Sequence, residues 1–242
     1  MKKSSVRQKN AIVLCSGGLD SVTTAHYVKK KLNYKKIVIL FLNYGQRTIE
    51  QERNSAKKCA KDIGAFFNEI SLPELAKIST SLINKRVNTE KISKKELANT
   101  KKESEKWYVP YRNAIFLIYA LALADSYFIK YKEIFHIFTG FKNEGKEPYP
   151  DTTEEFVKSM NDIQEIVSGG KFKIYAPFIK KDKEDIIKIG KEIDVDLKST
   201  FSCYAGAKQT KMSHCGTCLS CRLRQEAFRW AGVEDETKYE EE

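Results

Sequence analysis

Short continuous apolar runs alternate with longer stretches of helical period along the chain. Ala11-Ile12-Val13-Leu14-Cys15, Ile37-Val38-Ile39-Leu40-Phe41-Leu42, Phe66-Phe67-Asn68-Glu69-Ile70, 134–139 and 172–175 read as strands. Helices are predicted over 20–32, from about Glu50 to Ile63, from Arg112 or Asn113 through Tyr127, over 154–168 and over 183–193. Gly64 stops the second of these, Asp182 can cap the last, and Gly190 interrupts it. Strands alternating with helices predict an α/β fold with a doubly wound parallel sheet. Ligands of such sheets bind beyond the carboxyl ends of the strands. Residues 16–21, 43–47 and 140–151 then share one rim.

The turn after the first strand carries the most chemistry. Ser16-Gly17-Gly18-Leu19-Asp20-Ser21 joins a buried strand to a helix start. Backbone N–H groups there are unsatisfied and sit at the positive end of the helix dipole. Glycines let the backbone approach a phosphate, and Ser16 and Ser21 add hydroxyl donors. A bare phosphate would repel Asp20, so its expected task is to hold Mg²⁺ with the nucleotide. The turn lacks the Gly-Lys-Ser/Thr ending of a Walker A loop and the G-x-G-x-x-G of a dinucleotide fold.

Cysteine spacing adds a second site. Cys215, Cys218 and Cys221 fall within two tight turns, with Cys203 a short loop upstream. Four thiolates so spaced suit a structural tetrahedral Zn²⁺; an iron–sulfur cluster, which also takes four thiolates, is the rival. His214 is either an outer partner of this site or an exposed residue. Cys15, Cys59, His26 and His136 read as packing residues.

Length and charge complete the outline. The 242 residues suffice for a main domain over 1–199, a cysteine-rich subdomain over 200–232 and an acidic, frayed tail over 233–242. The basic start lacks the apolar core of a signal peptide, and no apolar run approaches the ~18 residues of a membrane span. A cytoplasmic protein without membrane association is expected. The net charge of +11 is concentrated in 77–106, with nine Lys and Arg against four Glu. That stretch reads as a solvated, mobile insertion or as a docking face for an acidic partner.

Taken in order, these segments resemble the 7-cyano-7-deazaguanine synthase (QueC) family of the PP-loop, or N-type, ATP pyrophosphatases. The residues that carry the resemblance are Ser16–Ser21, Tyr44-Gly45-Gln46-Arg47, Val109-Pro110-Tyr111-Arg112-Asn113, Tyr149-Pro150-Asp151, Ala176-Pro177-Phe178-Ile179 and Ser202-Cys203-Tyr204 leading to the other three cysteines. The resemblance implies cleavage of ATP between the α and β phosphates. A carboxylate of 7-carboxy-7-deazaguanine would capture adenylate, ammonia would displace AMP to give an amide, and a second activation would dehydrate it to the nitrile. It also implies a homodimer. The implied ATP site is Cys15, Ser16, Gly17, Gly18, Leu19, Asp20, Ser21, Val22, Thr23, Thr24 and Ala25. Asp20, Ser21, Arg112 and Lys181 would be catalytic, with Arg47 and Lys180 as further candidates to offset charge. Tyr44, Gln46, Arg47, Arg112, Asn113, Tyr149 and Asp151 would bind the deazaguanine, and Tyr204 is a further stacking candidate. Ordinary readings stand beside these: Arg112-Asn113 can simply open a helix, Lys180-Lys181-Asp182-Lys183 can be a solvated cap, and the tyrosines can be packing residues.

The chain departs from the family pattern on the rim where the deazaguanine and the amine would sit. Tyr111 stands where the family usually has glycine, Thr48 follows Arg47 in place of histidine, Thr152-Thr153 replaces Cys-Arg, and 140–148 has drifted. An alternative acceptor follows: an amine on a partner protein, as in QueC-like relatives of antiphage defence clusters. A zinc module that binds nucleic acid is a further alternative, disfavoured because such a module has no use for the phosphate loop.

Overall fold

A computed structural model describes residues 9–85, 91–92, 97, 101–143, 149–206 and 213–240. Five parallel strands, β1 (Asn10–Leu14), β2 (Lys36–Asn43), β3 (Phe66–Ser71), β4 (Phe135–Phe138) and β5 (Ile174–Tyr175), form one sheet in the order β3-β2-β1-β4-β5. The helices are α1 (Leu19–Lys30), α2 (Ile49–Asp62), α3 (Pro73–Ile78), α4 (Lys101–Trp107), α5 (Arg112–Tyr131), α6 (Glu154–Ser168), α7 (Lys183–Glu192) and α8 (Leu219–Ala231). The sheet is the doubly wound parallel one expected. Strand order reverses between β1 and β4, which opens a crevice beyond their carboxyl ends.

The alternation of strand side chains explains the two cores. Ala11 and Val13, with Ile37, Ile39 and Phe41, pack under α1, α2, α7 and α8. Ile12, Val38, Leu40 and Leu42 face the other way, against α5 and α6. With apolar residues on both faces, β1 and β2 are buried strands, as parallel sheets require. α5 has the length and mean hydropathy to cross a bilayer, contrary to expectation. Instead, Leu117, Ala120 and Ala124 bury one side of it in the second core.

Two expectations are corrected, and a third is qualified. α7 runs through Gly190 without interruption. A Cβ there would lie 3.0 Å from Leu197 Cδ2 and 3.3 Å from Thr23 Oγ1, so the glycine lets α7 pack closely on α1. The acidic tail is docked as far as residue 240, not frayed. The carbonyl of His214 accepts from Glu240 N–H (2.8 Å), and Tyr239 is half-buried with its ring against that of His214. Arg224, fully buried, donates from Nε to Thr237 Oγ1 (3.1 Å) and lies 3.8 Å from Asp235. In the described parts of the basic stretch the lysines are exposed, as expected of a solvated segment, but apolar residues within and just after it are anchored. Ile83, Ile92 and Trp107 are buried, Ile92 N–H donates to Thr217 O (2.9 Å), and Arg222 Nε donates to Ile92 O (3.0 Å). Residues 86–90, 93–96 and 98–100 lie outside the described residues, as do 144–148 of the drifted rim.

Candidate functional site

The turn from β1 into α1 is held from two sides. Gly17 takes φ +81°, where a Cβ would collide with the carbonyl of Glu52 and lie 2.9 Å from Ser55 Cβ. Its own carbonyl accepts from Ser55 Oγ (2.7 Å) and from Phe201 N–H (2.8 Å). Gly140, after β4, packs so closely that a Cβ would lie 2.9 Å from Ser21 N. The loop is therefore clamped between α2, β4 and the segment leading to Cys203. Gly18 caps α1 and donates to Ser16 Oγ (3.3 Å), and Ser21 Oγ donates to Gly18 O (3.0 Å).

A cavity of about 270 Å³ opens in front of this loop. Ser16, Gly18, Asp20 and Ser21 form one wall, Tyr44, Glu52, Arg112 and Asn113 another, and Phe201–Tyr204 a third. Asp20 lies in the first turn of α1, where a carboxylate favours the helix dipole. Its Oδ2 accepts from Lys183 Nζ at 2.7 Å, and its Oδ1 is buried with no hydrogen-bond partner. An orphaned carboxylate oxygen in the first turn of α1, on a residue that lines the cavity, is a donor suited to a hard cation.

The sequence-derived site residues divide clearly. Cys15, Ser16, Gly18, Leu19, Asp20, Ser21, Tyr44, Gln46, Arg112, Asn113 and Tyr204 line the cavity. Val22, Thr23, Thr24 and Ala25 are buried along α1, in its core-facing body. Lys180 and Lys181 are exposed and off the cavity wall; Lys180 pairs with Glu154 (3.1 Å). Lys183, the first residue of α7, reaches the cavity instead. Tyr149 Oη donates to Ser104 O (3.0 Å) and its ring stacks on Tyr108. Asp151 offers its backbone carbonyl to Asn113 Nδ2 (3.2 Å), and Arg47 N–H donates to Ile83 O (2.8 Å). None of these last three lines the cavity; Thr152 does.

Gln46 is spent within the protein. Its Oε1 accepts from Tyr44 N–H (2.9 Å), and its two amide protons go to Leu42 O (3.1 Å) and Glu52 Oε2 (3.1 Å). Glu52, which the sequence reading did not single out, also accepts from Thr48 Oγ1 at 2.6 Å. Tyr44 is buried, its phenol pushed up to about 12 by desolvation, and Arg112 lies over its ring at 5.8 Å.

Burial pushes the Glu52 carboxyl up from 4.5 to about 7, against the opposing pull of Thr48, Gln46 and Arg112. The folded state thus binds this proton more tightly than the unfolded chain. The resulting stabilisation is complete below about 4.5 and is lost as pH rises through about 7. Glu52→Gln is expected to gain stability on wild type across that window, reaching about 3 kcal/mol at neutral pH and above. Denaturant unfolding of both proteins over this range checks it; a difference independent of pH would contradict it.

The four cysteines converge as well. The sulfurs of Cys203, Cys215, Cys218 and Cys221 all lie within 4.8 Å of one another, with Cys203–Cys218 at 4.0 Å and Cys215–Cys221 at 3.9 Å. Metal–sulfur bonds of ~2.3 Å in a tetrahedron give sulfur separations of about 3.8 Å. A multi-iron cluster would spread the sulfurs wider. Backbone N–H groups of Gly206 and Cys218 point at Cys203 Sγ (3.2 Å) and Cys215 Sγ (3.3 Å), which favours thiolates. His214 is buried, not exposed. Burial pulls it down to about 3, and its Nε2 accepts from Ser202 N–H (3.0 Å). It braces the Cys203 segment.

Comparison with known proteins agrees with this arrangement. The family profile described as "Queuosine biosynthesis protein QueC" matches residues 10–232. The 7-cyano-7-deazaguanine synthase of Methanocaldococcus jannaschii is 37% identical over 244 residues, covering 95% of this chain and 98% of the relative. That of Methanococcus aeolicus is 35% identical over 238 residues, with the same coverage. Among solved structures, a 4-thiouridine synthetase–RNA complex with bound ATP aligns over 93% of this chain and 50% of that chain. Its 15% identity and TM-score of 0.48 are too low to carry function. On the span of the family match and the likeness to these relatives over nearly their whole length, the chain belongs to the QueC family.

Proposed function

We propose that the protein is an ATP-dependent ligase that adenylates 7-carboxy-7-deazaguanine and converts it with ammonia, through the amide, to 7-cyano-7-deazaguanine. The observation that carries this reading is the phosphate-binding turn with its orphaned Asp20 oxygen at the strand-order reversal. Ser16, Gly18 and Ser21 would seat the phosphates, and Asp20 would hold Mg²⁺, which supplies charge neutralisation when bound. Lys183, freed from Asp20, would turn to the phosphates. Arg112 and Asn113 would meet the substrate carboxylate and base edge, with Tyr44 and Tyr204 beside them. Catalysis then rests on orientation and charge, not on an acid–base pair in the activation step. The four cysteines would hold one structural Zn²⁺ with no open position for water. The exposed apolar residues Ile118, Tyr119, Ile163 and Ile166 on α5 and α6 suit a homodimer, which light scattering would test.

Two observations favour a second acceptor. Thr152 lines the cavity and Tyr111 stands exposed at the start of α5 with φ +56°, both at departures from the family pattern. A partner-protein amine would then replace ammonia. Incubation with ATP, 7-carboxy-7-deazaguanine and ammonium, followed by product mass, separates the readings. The nitrile mass is expected. A product stopped at adenylate or amide favours the protein acceptor, and no nucleotide consumption contradicts both.

A further inference from the structure

We propose that Glu52 is a catalytic base that takes the proton from the incoming ammonium ion. The inference rests on the amide-forming reaction proposed above. At neutral pH ammonium has no lone pair, so amide formation needs a group that both attracts a small cation and accepts its proton. Two carboxylates line the cavity among the described residues, Asp20 and Glu52. Asp20 is paired with Lys183 and is assigned above to the nucleotide's cation, so it is not available as a base. Glu52 has no cation at ion-pair distance among the described residues; it accepts one hydrogen bond at each oxygen, from the neutral donors Thr48 and Gln46. Each oxygen keeps a further acceptor site.

The groups facing it set its affinity for a proton. Tyr44, just after β2, is a neutral phenol. Burial raises the Glu52 carboxyl, and the hydrogen bonds from Thr48 and Gln46 and, more weakly, the charge of Arg112 on α5 oppose it, which leaves it at about 7. A base so poised is matched to its task at cellular pH. The chemistry balances as follows. A Glu52 oxygen takes one proton from ammonium, and the freed nitrogen lone pair forms the C–N bond at the acyl carbon. The C–O bond to AMP breaks, AMP leaves with that electron pair, and a second N–H proton passes to the departing phosphate or to water.

Glu52→Gln in the full chain tests this. Ammonium-dependent product formation should fall by about 10²–10⁴-fold, while substrate-dependent ATP–pyrophosphate exchange stays within about threefold of wild type. Hydroxylamine is already unprotonated at neutral pH, so its capture of the acyl group by the variant should match wild type. Loss of exchange or of hydroxylamine capture together with ammonium use would make Glu52 a brace for Gln46 and overturn the proposal. Absence of exchange in wild type would instead remove the adenylation reading, and this inference with it. The wild-type pH profile decides even where the variant does not fold. kcat/KM for total ammonium should level off above about 7, whereas a continued rise toward the ammonium range would show that free ammonia is drawn from solution and overturn the assignment.

Discussion

Asp20→Ala is expected to abolish AMP formation, by about 10³-fold or more, while the fold remains intact. The stability side can be bounded. Asp20 favours the α1 dipole, worth about 0.3–1 kcal/mol, and its partly exposed pair with Lys183 adds a similar amount. A loss of about 1–2 kcal/mol lowers the melting temperature of a chain this size by only about 2–8 °C. The functional side is much larger, because the variant removes both the buried unpartnered oxygen and the partner that orients Lys183. Nucleotide turnover and thermal unfolding measured together check the separation. Retained AMP release would show that the cation role belongs elsewhere; collapse of the fold would show that Asp20 is structural.

Cys218→Ser is expected to lower stability and metal content together. Cys218 is buried, caps α8 and places its sulfur 4.0 Å from that of Cys203. A structural thiolate site contributes its binding energy to folding, about 10–16 kcal/mol in small zinc peptides, so loss of a ligand removes a large part of it. The effect should also reach the cavity. Cys203 ends the Phe201–Cys203 segment, which forms cavity wall and whose Phe201 N–H holds the carbonyl of Gly17. Metal analysis should fall from near one ion per chain to near none, with a drop in melting temperature of about 10 °C or more and weaker nucleotide binding. A soluble variant with normal melting and no metal would contradict the structural role.

The sheet and its helices were legible because β1 and β2 are apolar on both faces and each is followed by a turn and a longer stretch of helical length. The glycine turn between β1 and α1 and the convergence of the four thiols were legible because their signals are local: close glycines, a helix start, and three cysteines within two turns. What was missed depends on contacts between distant segments. Lys180, Lys181 and Lys183 look alike in sequence, and only the seating of α7 on α1 brings Lys183 to Asp20. Gln46 reads as a base-recognising amide until its donors are traced to Leu42 and Glu52. Glu52 carries no signal of its own in the sequence, yet the packing of α2 directly against Gly17 and its hydrogen bonds with Thr48 and Gln46 bury it. The docked tail was hidden because its acidic residues look solvated; its anchor is Arg224, one charge inside α8 that pairs with Thr237 and approaches Asp235.

The central claim is that the turn after β1 grips the triphosphate so that a carboxylate captures adenylate. Identification of the nucleotide products in the presence of 7-carboxy-7-deazaguanine tests it most directly. AMP and pyrophosphate released in equal amounts, dependent on that carboxylate, are predicted. Release of ADP and orthophosphate would contradict it.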